Sequence, residues 1–279
     1  MIGALALIAV LAAEGAPTGS AVDSPNLQLA SSYFQSGGPV TDHRNVLALS
    51  LQAQTSHESG NGVWGFALGW LRMSQPGVGS PLVVSHVGNA LGFTSLRFAL
   101  ARRLDLDAGF GLAIGLTATE PTPRRRVLRT ALGHALAMQG LYDVWRWAPG
   151  RGGFVLPARL QNTHALGRWT GSARLEAAFI FTLPSSEEGE VELGRIVQSA
   201  AEYALLPRPW LAAGGRLQLV WMPGAQLWNT QWSVVPFLAV VRGRWRVSGD
   251  LLVNIDEPYG FAGRGQRIWA ASLKVGAWL

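Results

Sequence analysis

The stretch that decides the fold reads Leu-Asp-Leu-Asp-Ala-Gly-Phe-Gly-Leu-Ala-Ile-Gly-Leu-Thr and runs from Leu104 to Thr117. Large apolar side chains occupy every second position, and small or polar side chains lie between them. A period of two indicates a β-strand, because successive side chains point to opposite faces. The run exceeds the roughly five or six residues of an ordinary strand and reaches the roughly nine to eleven that cross a membrane. We therefore predict a membrane-spanning strand with lipid against its apolar face.

The same alternation recurs along the chain and predicts an all-β, antiparallel up-and-down transmembrane barrel of about twelve strands, within a range of ten to fourteen. Short corners alternate with longer connections, which places both termini at the end with the short turns. A Pro/Gly-rich loop is expected over Gln75–Gly92. The predicted strands cover residues 26–34, 44–55, 63–74, 94–101, 104–117, 154–162, 169–183, 191–204, 211–221, 228–238, 245–255 and 267–279.

The long connection between Thr119 and Arg151 does not alternate. Pro123 precedes the stretch Arg124–Gln139, where apolar residues recur with helical spacing, and Gly140 follows as a suitable stop. We predict a short amphipathic helix in an external loop; two further strands are the alternative. The basic cluster at the start of this stretch is either a solvated helix terminus or a contact for glycolipid phosphates.

The composition favours a barrel over a soluble enzyme. Charged residues make up 14% of the chain, well below the roughly 25% of soluble domains, and Gly 34 and Trp 12 are both high. The absence of Cys excludes a disulfide framework and a thiolate metal site. The formal charge of +6 fits either nucleic-acid binding or a basic lumen and basic loops. Because no nucleic-acid-binding fold accompanies it, no nucleic-acid partner is expected.

The N-terminus resembles an export signal. Residues 1–13 are nearly all apolar and small residues follow, which matches the core of a signal peptide and is too short for a transmembrane helix. We expect residues 1–21 to form a signal peptide and residues 22–279 a single barrel domain, although cleavage after Ala13 is also compatible with the sequence. No later stretch has 18 consecutive apolar residues, so no transmembrane helix is predicted.

With these features the chain resembles Gram-negative outer-membrane β-barrels over roughly Leu27 to Leu279. The segment Leu273–Leu279 resembles their terminal assembly signal, with Trp278 one place before the end, and Gly77–Leu82 is similar to a loop of porin-like transport barrels. The resemblance implies location in the cell outer membrane and contacts with outer-membrane lipid and glycolipid. It also implies assembly by the barrel-assembly machinery, and it implies no cofactor.

Two sets of side chains are candidates for function. A predicted lumen set either forms a structural ladder of ion pairs or selects the solutes that pass. A predicted interface girdle anchors the barrel at the two membrane surfaces. The lumen set is Arg97, Asp105, Asp107, Arg174, Glu176, Arg216, Arg246, Asp250 and Lys274, and the girdle set is Trp64, Trp70, Trp169, Trp221, Trp228, Trp245, Trp269 and Trp278.

No catalytic or metal-binding motif is present in the sequence. There is no Gly-x-Ser-x-Gly and no His-x-x-x-His spacing. Neighbouring pairs such as Asp42-His43 would point to opposite faces of a strand, so they form no dyad. We predict a passive porin-like channel for small solutes. The alternatives are a closed structural or binding barrel of an envelope complex and, less favoured, a membrane hydrolase using Ser85 and His86.

Overall fold

The computed structural model of the chain describes residues 26–37, 44–56, 61–75, 82–87, 90–114, 152–182, 192–221, 230–255 and 267–279. All regular structure within these ranges is β-strand. Among the same residues there is no helix with the length and apolar character needed to cross a membrane. The helix predicted over Arg124–Gln139 and the predicted signal peptide both lie outside the described residues.

The strands are long and follow the predicted alternation closely. Each predicted strand corresponds to one observed strand, and the twelfth, at the N-terminus, is confirmed as β1. In chain order the strands are β1 Leu27–Gly37, β2 Arg44–Ser56, β3 Gly62–Gln75, β4 Leu82–Val87, β5 Ala90–Ala101, β6 Leu104–Ile114, β7 Gly152–Leu166, β8 Trp169–Thr182, β9 Glu192–Arg208, β10 Leu211–Trp221, β11 Thr230–Arg242, β12 Trp245–Asn254 and β13 Arg267–Ala277.

The sheet closes on itself. β1 pairs with β2 on one side and with β13 on the other, and every other neighbour in the ring is also antiparallel. β4 and β5 share one position because both pair with β3, so the closed barrel has twelve positions around its circumference. The predicted fold class is confirmed, since closure leaves no strand edge unpaired in the membrane.

β4 corrects the loop that the sequence predicts over Gln75–Gly92. Its six residues pair with the part of β3 that lies beyond the β3–β5 pairing. The register with β3 shifts by one residue between the pairs Trp70↔Val87 and Ala67↔Leu91. An extra residue of this kind is a β-bulge, which bends a strand and interrupts its alternation. The interruption, together with the Pro and Gly around it, concealed this strand in the sequence.

The two ends of the barrel differ in their connections. Four hairpins close with two-residue turns, at residues 102–103, 167–168, 209–210 and 243–244, and Asn26 and Leu279, the first and last described residues, lie at the same end. The Leu279 amide donates to Asn26 Oδ1 at 3.3 Å there. We name this end the turn end and the opposite one the loop end.

The outer face is apolar around the whole circumference. Large apolar side chains at alternate positions of the strands stay exposed, as a barrel in lipid requires. A soluble protein does not expose an apolar surface of this extent. Examples from each sector of the wall are Leu29, Leu49, Phe66, Phe98, Leu112, Leu156, Leu175, Leu217, Leu238, Leu251 and Leu273.

Three prolines lie within the described strands, Pro207 near the turn end of β9 and two farther from the strand ends. Pro157 in β7 coincides with a gap in the β6–β7 pairing between Ala108↔Ala158 and Gly111↔Val155. Pro236 in β11 coincides with a gap in the β11–β12 pairing, where no pairs form opposite residues 235 and 236. A proline has no amide hydrogen to donate, so each position costs its strand one ladder bond on that side.

Candidate functional site: the barrel lumen

The side chains opposite the apolar face point into the barrel. The predicted lumen residues lie at these alternate positions, on β5, β6, β8, β10, β12 and β13. Glu176 is placed by its backbone register alone. The inward positions hold Gln, Ser and small residues beside the charged ones, and many of them are buried because the side chains fill a narrow barrel.

The best-defined contact of the lumen joins β5 and β6. Arg97 and Asp107 face each other directly in the register. Arg97 Nε lies 2.8 Å from Asp107 Oδ1, and Nη2 lies 3.3 Å from Oδ2. Two parallel N–H···O bonds of this kind fix both orientation and distance, which a lysine could not do.

The register extends this pair into a row of charged residues with alternating sign. Asp107 lies opposite Arg159 on β7, and Arg159 lies opposite Glu176 on β8. Residues directly opposite each other have Cβ atoms about 5 Å apart. The row Arg97–Asp107–Arg159–Glu176 therefore crosses four neighbouring strands at one height of the barrel.

A second group of charged side chains lies on another part of the lumen wall, on β9, β10, β12 and β13. Lys274 Nζ lies 2.8 Å from Asp250 Oδ2, and Ser272 Oγ also donates to the Asp250 carboxylate. Arg216 Nη1 lies 3.6 Å from Glu202 Oε2 and interacts electrostatically with Asp250. These contacts connect lumen residues that the sequence predicted individually, but whose partners it did not specify.

The partners in these ion pairs are not equally accessible. The Arg97 side chain is 56% exposed while Asp107 is 12% exposed. Lys274 is 29% exposed while Asp250 is 10% exposed. The Glu202–Arg216 pair shows the reverse order. In two of the three pairs the cation is therefore the more accessible partner and the carboxylate the more buried one.

The turn end of the lumen contains an apolar cluster that the sequence did not predict. Buried small residues from β9, β10 and β11 form it, and Leu206, Phe237 and Trp278 pack against them. Trp278 therefore lies inside the barrel, and its assignment to the interface girdle is corrected. Alternation explains this position, since Trp278 continues the inward series of β13. The buried members are Ala204, Ala212, Ala239 and Val241.

A buried polar layer lies nearer the loop end, and sequence reasoning missed it. Gln198 on β9 and Gln231 on β11 both face Val220 on β10 in the register. Gln231 donates to Ser233 Oγ at 3.2 Å. Gln198 Nε2 and Gln231 Oε1 have no partner among the described residues. One free donor and one free acceptor of this kind are suited to water or to a solute hydroxyl.

The other predicted girdle residues lie near the strand ends. Trp64, Trp169 and Trp245 are exposed at the turn end, and Trp221 is exposed at the loop end. Trp70 and Trp269 are partly buried toward the loop end, and Trp269 contacts Tyr33 with ring centroids 5.6 Å apart. Trp228 lies outside the described residues. Two further exposed tryptophans, Trp210 and Trp232, were not predicted.

The described residues hold no cluster of metal-binding groups. Within these ranges no three His, Cys, Asp or Glu residues come close enough to bind a metal ion together. His164 packs its ring edge-on against Tyr203, with centroids 5.3 Å apart on the outer face. Ser85 and His86 lie on β4, where the structure describes the backbone and not the side chains. The lumen side chains described above offer hydrogen-bonding groups and charge.

A closed antiparallel barrel with an apolar outer face and a polar interior defines the class of outer-membrane β-barrel proteins. The chain has this fold, and the outer membrane is its location.

Comparison with known proteins agrees with this class. No model of a protein family matches the chain, and no curated protein matches its sequence. An outer-membrane channel from Pseudomonas putida F1 is similar, with 12% identity, 94% of this chain and 98% of that chain covered, and a TM-score of 0.54. The β domain of the Bordetella autotransporter BrkA is similar at 11% identity, with 92% of this chain and 100% of that chain covered and a TM-score of 0.52. The NanC porin is similar at 6% identity, with 90% of this chain and 100% of that chain covered and a TM-score of 0.50. Identities this low demonstrate a shared fold and no more.

Proposed function

We propose that this protein is a passive channel for small polar solutes, with selectivity set by charges on the lumen wall. The observation that carries the proposal is the Arg97–Asp107 pair, because the Arg97 side chain remains 56% exposed on the lumen face of β5, toward the turn end. An arginine on the lumen side keeps that much open surface only where water-accessible space adjoins it. The NanC porin and the Pseudomonas channel, which share the fold, support the same reading.

The channel is expected to prefer small anions over cations. In the pairs Arg97–Asp107 and Lys274–Asp250 the cation is the more accessible partner, so a passing solute meets positive charge first. Exposed side chains of one sign raise the local concentration of the opposite sign. Since each cation also has a carboxylate close by, the preference is modest and weakens with salt.

Conductance of the refolded full-length protein in a planar bilayer tests the proposal. Under a potassium chloride gradient we expect stable single-channel steps and a reversal potential displaced toward that of chloride. Arg97→Gln should move the reversal potential toward cation selectivity. An Arg72→Gln variant is the matched control, because Arg72 is an exposed arginine on the outward face of β3. A folded protein without conductance would contradict the proposal.

A closed structural barrel is the second candidate, and one observation favours it. The apolar cluster with Trp278 fills part of the interior at the turn end, where a channel needs an exit. If this cluster closes the barrel, the wild type remains silent and Trp278→Ala produces conductance steps. No enzymatic role is proposed.

A further inference from the structure

The turn end carries a concentration of arginine that neither the lumen nor the channel function uses. Six arginines lie in or directly beside the four two-residue turns. All of them are exposed except Arg242, which is partly buried. We name this set the turn arginines, and its members are Arg102, Arg103, Arg168, Arg208, Arg242 and Arg244.

The turn arginines outnumber the acids beside them: among the described residues, Asp105, two residues after Arg103, is the only Asp or Glu within three residues of any of the six. None of the four turns contains Asp or Glu. Among the described residues, none of the six has a carboxylate within ion-pairing distance. Charges that serve only to solvate a turn are ordinarily mixed in sign. A set of one sign at one end of the barrel instead forms a positive field directed at whatever lies there.

Aromatic contacts fix the depth of these arginines relative to the membrane. The guanidinium of Arg208 lies 5.5 Å from the centre of the Trp210 ring, and that of Arg244 lies 5.7 Å from the centre of the Trp245 ring. Exposed tryptophan takes the depth of the lipid headgroups. Leu166, 78% exposed, immediately precedes the turn that contains Arg168. The apolar band therefore reaches the turns, and the guanidinium groups lie at headgroup level.

Arg103 occupies a backbone position that does not favour arginine. Its φ is 71°, the only positive φ of a non-glycine residue in the described ranges. The turns of two other hairpins use glycine for a positive φ, at Gly167 and Gly243. Side chains other than glycine adopt this conformation at a cost. At this position backbone geometry favours glycine, whereas the arginine adds to the positive charge.

We propose that the turn arginines bind the phosphate groups of anionic phospholipids in the membrane leaflet at the turn end. Arginine binds phosphate with two parallel hydrogen bonds, and each basic residue near an anionic surface strengthens binding roughly fivefold. Lipid is favoured over a soluble anion because the tryptophans and Leu166 place the guanidinium groups at the level of the lipid headgroups. The inference does not depend on whether the lumen conducts.

Native mass spectrometry of the full-length protein tests the inference. The protein is released from nanodiscs that contain equal amounts of phosphatidylglycerol and phosphatidylcholine, and the bound lipids are counted. We expect the wild type to retain phosphatidylglycerol severalfold over phosphatidylcholine. Arg103→Gly and Arg168→Gln should each lower that ratio by up to about fivefold. Arg103→Gly is the more informative variant, because its backbone becomes more favourable while its charge is lost.

Arg72→Gln is the matched control, since it removes an exposed arginine from the outward face near the loop end. The inference holds if the lipid ratio falls for the turn variants and stays unchanged for Arg72→Gln. It is overturned by equal retention of the two lipids in the wild type. It is also overturned if Arg72→Gln lowers the ratio as much as the turn variants do, since total charge would then be the cause.

Discussion

The Arg97 guanidinium and the Asp107 carboxylate form a two-bonded ion pair across β5 and β6, and only the guanidinium faces open space. The carboxylate holds the arginine against the wall while its positive charge stays accessible to the lumen. A pair of this kind is neutral as a unit, yet it presents a cation to a passing solute. Its two members are therefore expected to influence selectivity in opposite directions.

Removal of either charge tests this relationship. Arg97→Gln should lower the chloride-to-potassium permeability ratio, and Asp107→Asn should raise it. A unit charge about 10 Å from an ion in water changes the energy of that ion by about 0.4 kcal/mol, or roughly twofold in permeability. Reversal potentials in a planar bilayer measure both shifts. Shifts in the same direction, or none, would show that the pair is a structural contact remote from the ion path.

Adjacent glycines in β10 give a matched pair for the packing of the wall. A Cβ on Gly214 would meet the Tyr203 carbonyl oxygen and lie 2.8 Å from Phe237 Cζ, whereas a Cβ on Gly215 would meet nothing within 4 Å. Gly214→Ala should reduce the free energy of unfolding by about 2 to 3 kcal/mol, and Gly215→Ala should change it by less than about 0.5 kcal/mol. Denaturant titration in lipid vesicles measures the difference. Equal effects would contradict the proposed close approach.

The interior position of Trp278 predicts a stability effect that an interface residue would not show. Trp278→Ala should leave a cavity in the apolar cluster and reduce the free energy of unfolding by about 3 kcal/mol, the lower end for a core tryptophan. Its backbone amide bond to the Arg244 carbonyl, 2.9 Å, is retained. Trp245→Ala serves as the control, because that ring is exposed on the outer face. If Trp245→Ala costs as much, Trp278 does not have a special interior role.

The turn at Arg103 predicts a stabilising substitution. Arg103→Gly should raise the free energy of unfolding by about 1 kcal/mol in uncharged detergent, because glycine adopts positive φ without steric cost. Gly243→Ala, at φ 53°, should lower it by a similar amount. Equilibrium unfolding of both variants in the same detergent provides the measurement. A loss of stability in Arg103→Gly would mean that the arginine side chain stabilises its hairpin.

Sequence alternation predicted the strands well because lipid requires apolar side chains on the outer face of every strand. Leu96, Phe98 and Leu112 read as outward residues in the sequence, and they are exposed in the structure. The method failed at β4, where a one-residue shift changes the phase of the pattern. It also failed at Trp278, where the usual preference of tryptophan for the interface suggested one face and the phase of the strand dictated the other.

The lumen contacts could be predicted only in part. The alternation of side chains assigns Asp250 and Lys274 to the same face of the sheet. Their contact also depends on the register between β12 and β13, which makes them diagonal neighbours and which the sequence does not specify. The glutamine layer gave no signal, because Gln198 and Gln231 lie far apart in the chain and become neighbours only through β10. Register between strands is set by the whole barrel and not by any local pattern.

The pairing of β1 with β13, from Leu27↔Ala277 to Gly37↔Arg267, is a seam between the two extremities of the chain. If either of these strands is absent, two rows of amide and carbonyl groups face hydrocarbon, and each unsatisfied group costs several kcal/mol. A partly inserted wall is therefore unstable at every stage before the seam is formed. Insertion and closure are then expected to occur as one all-or-none event that awaits β13, and a chain without β13 would have no stable place in the membrane.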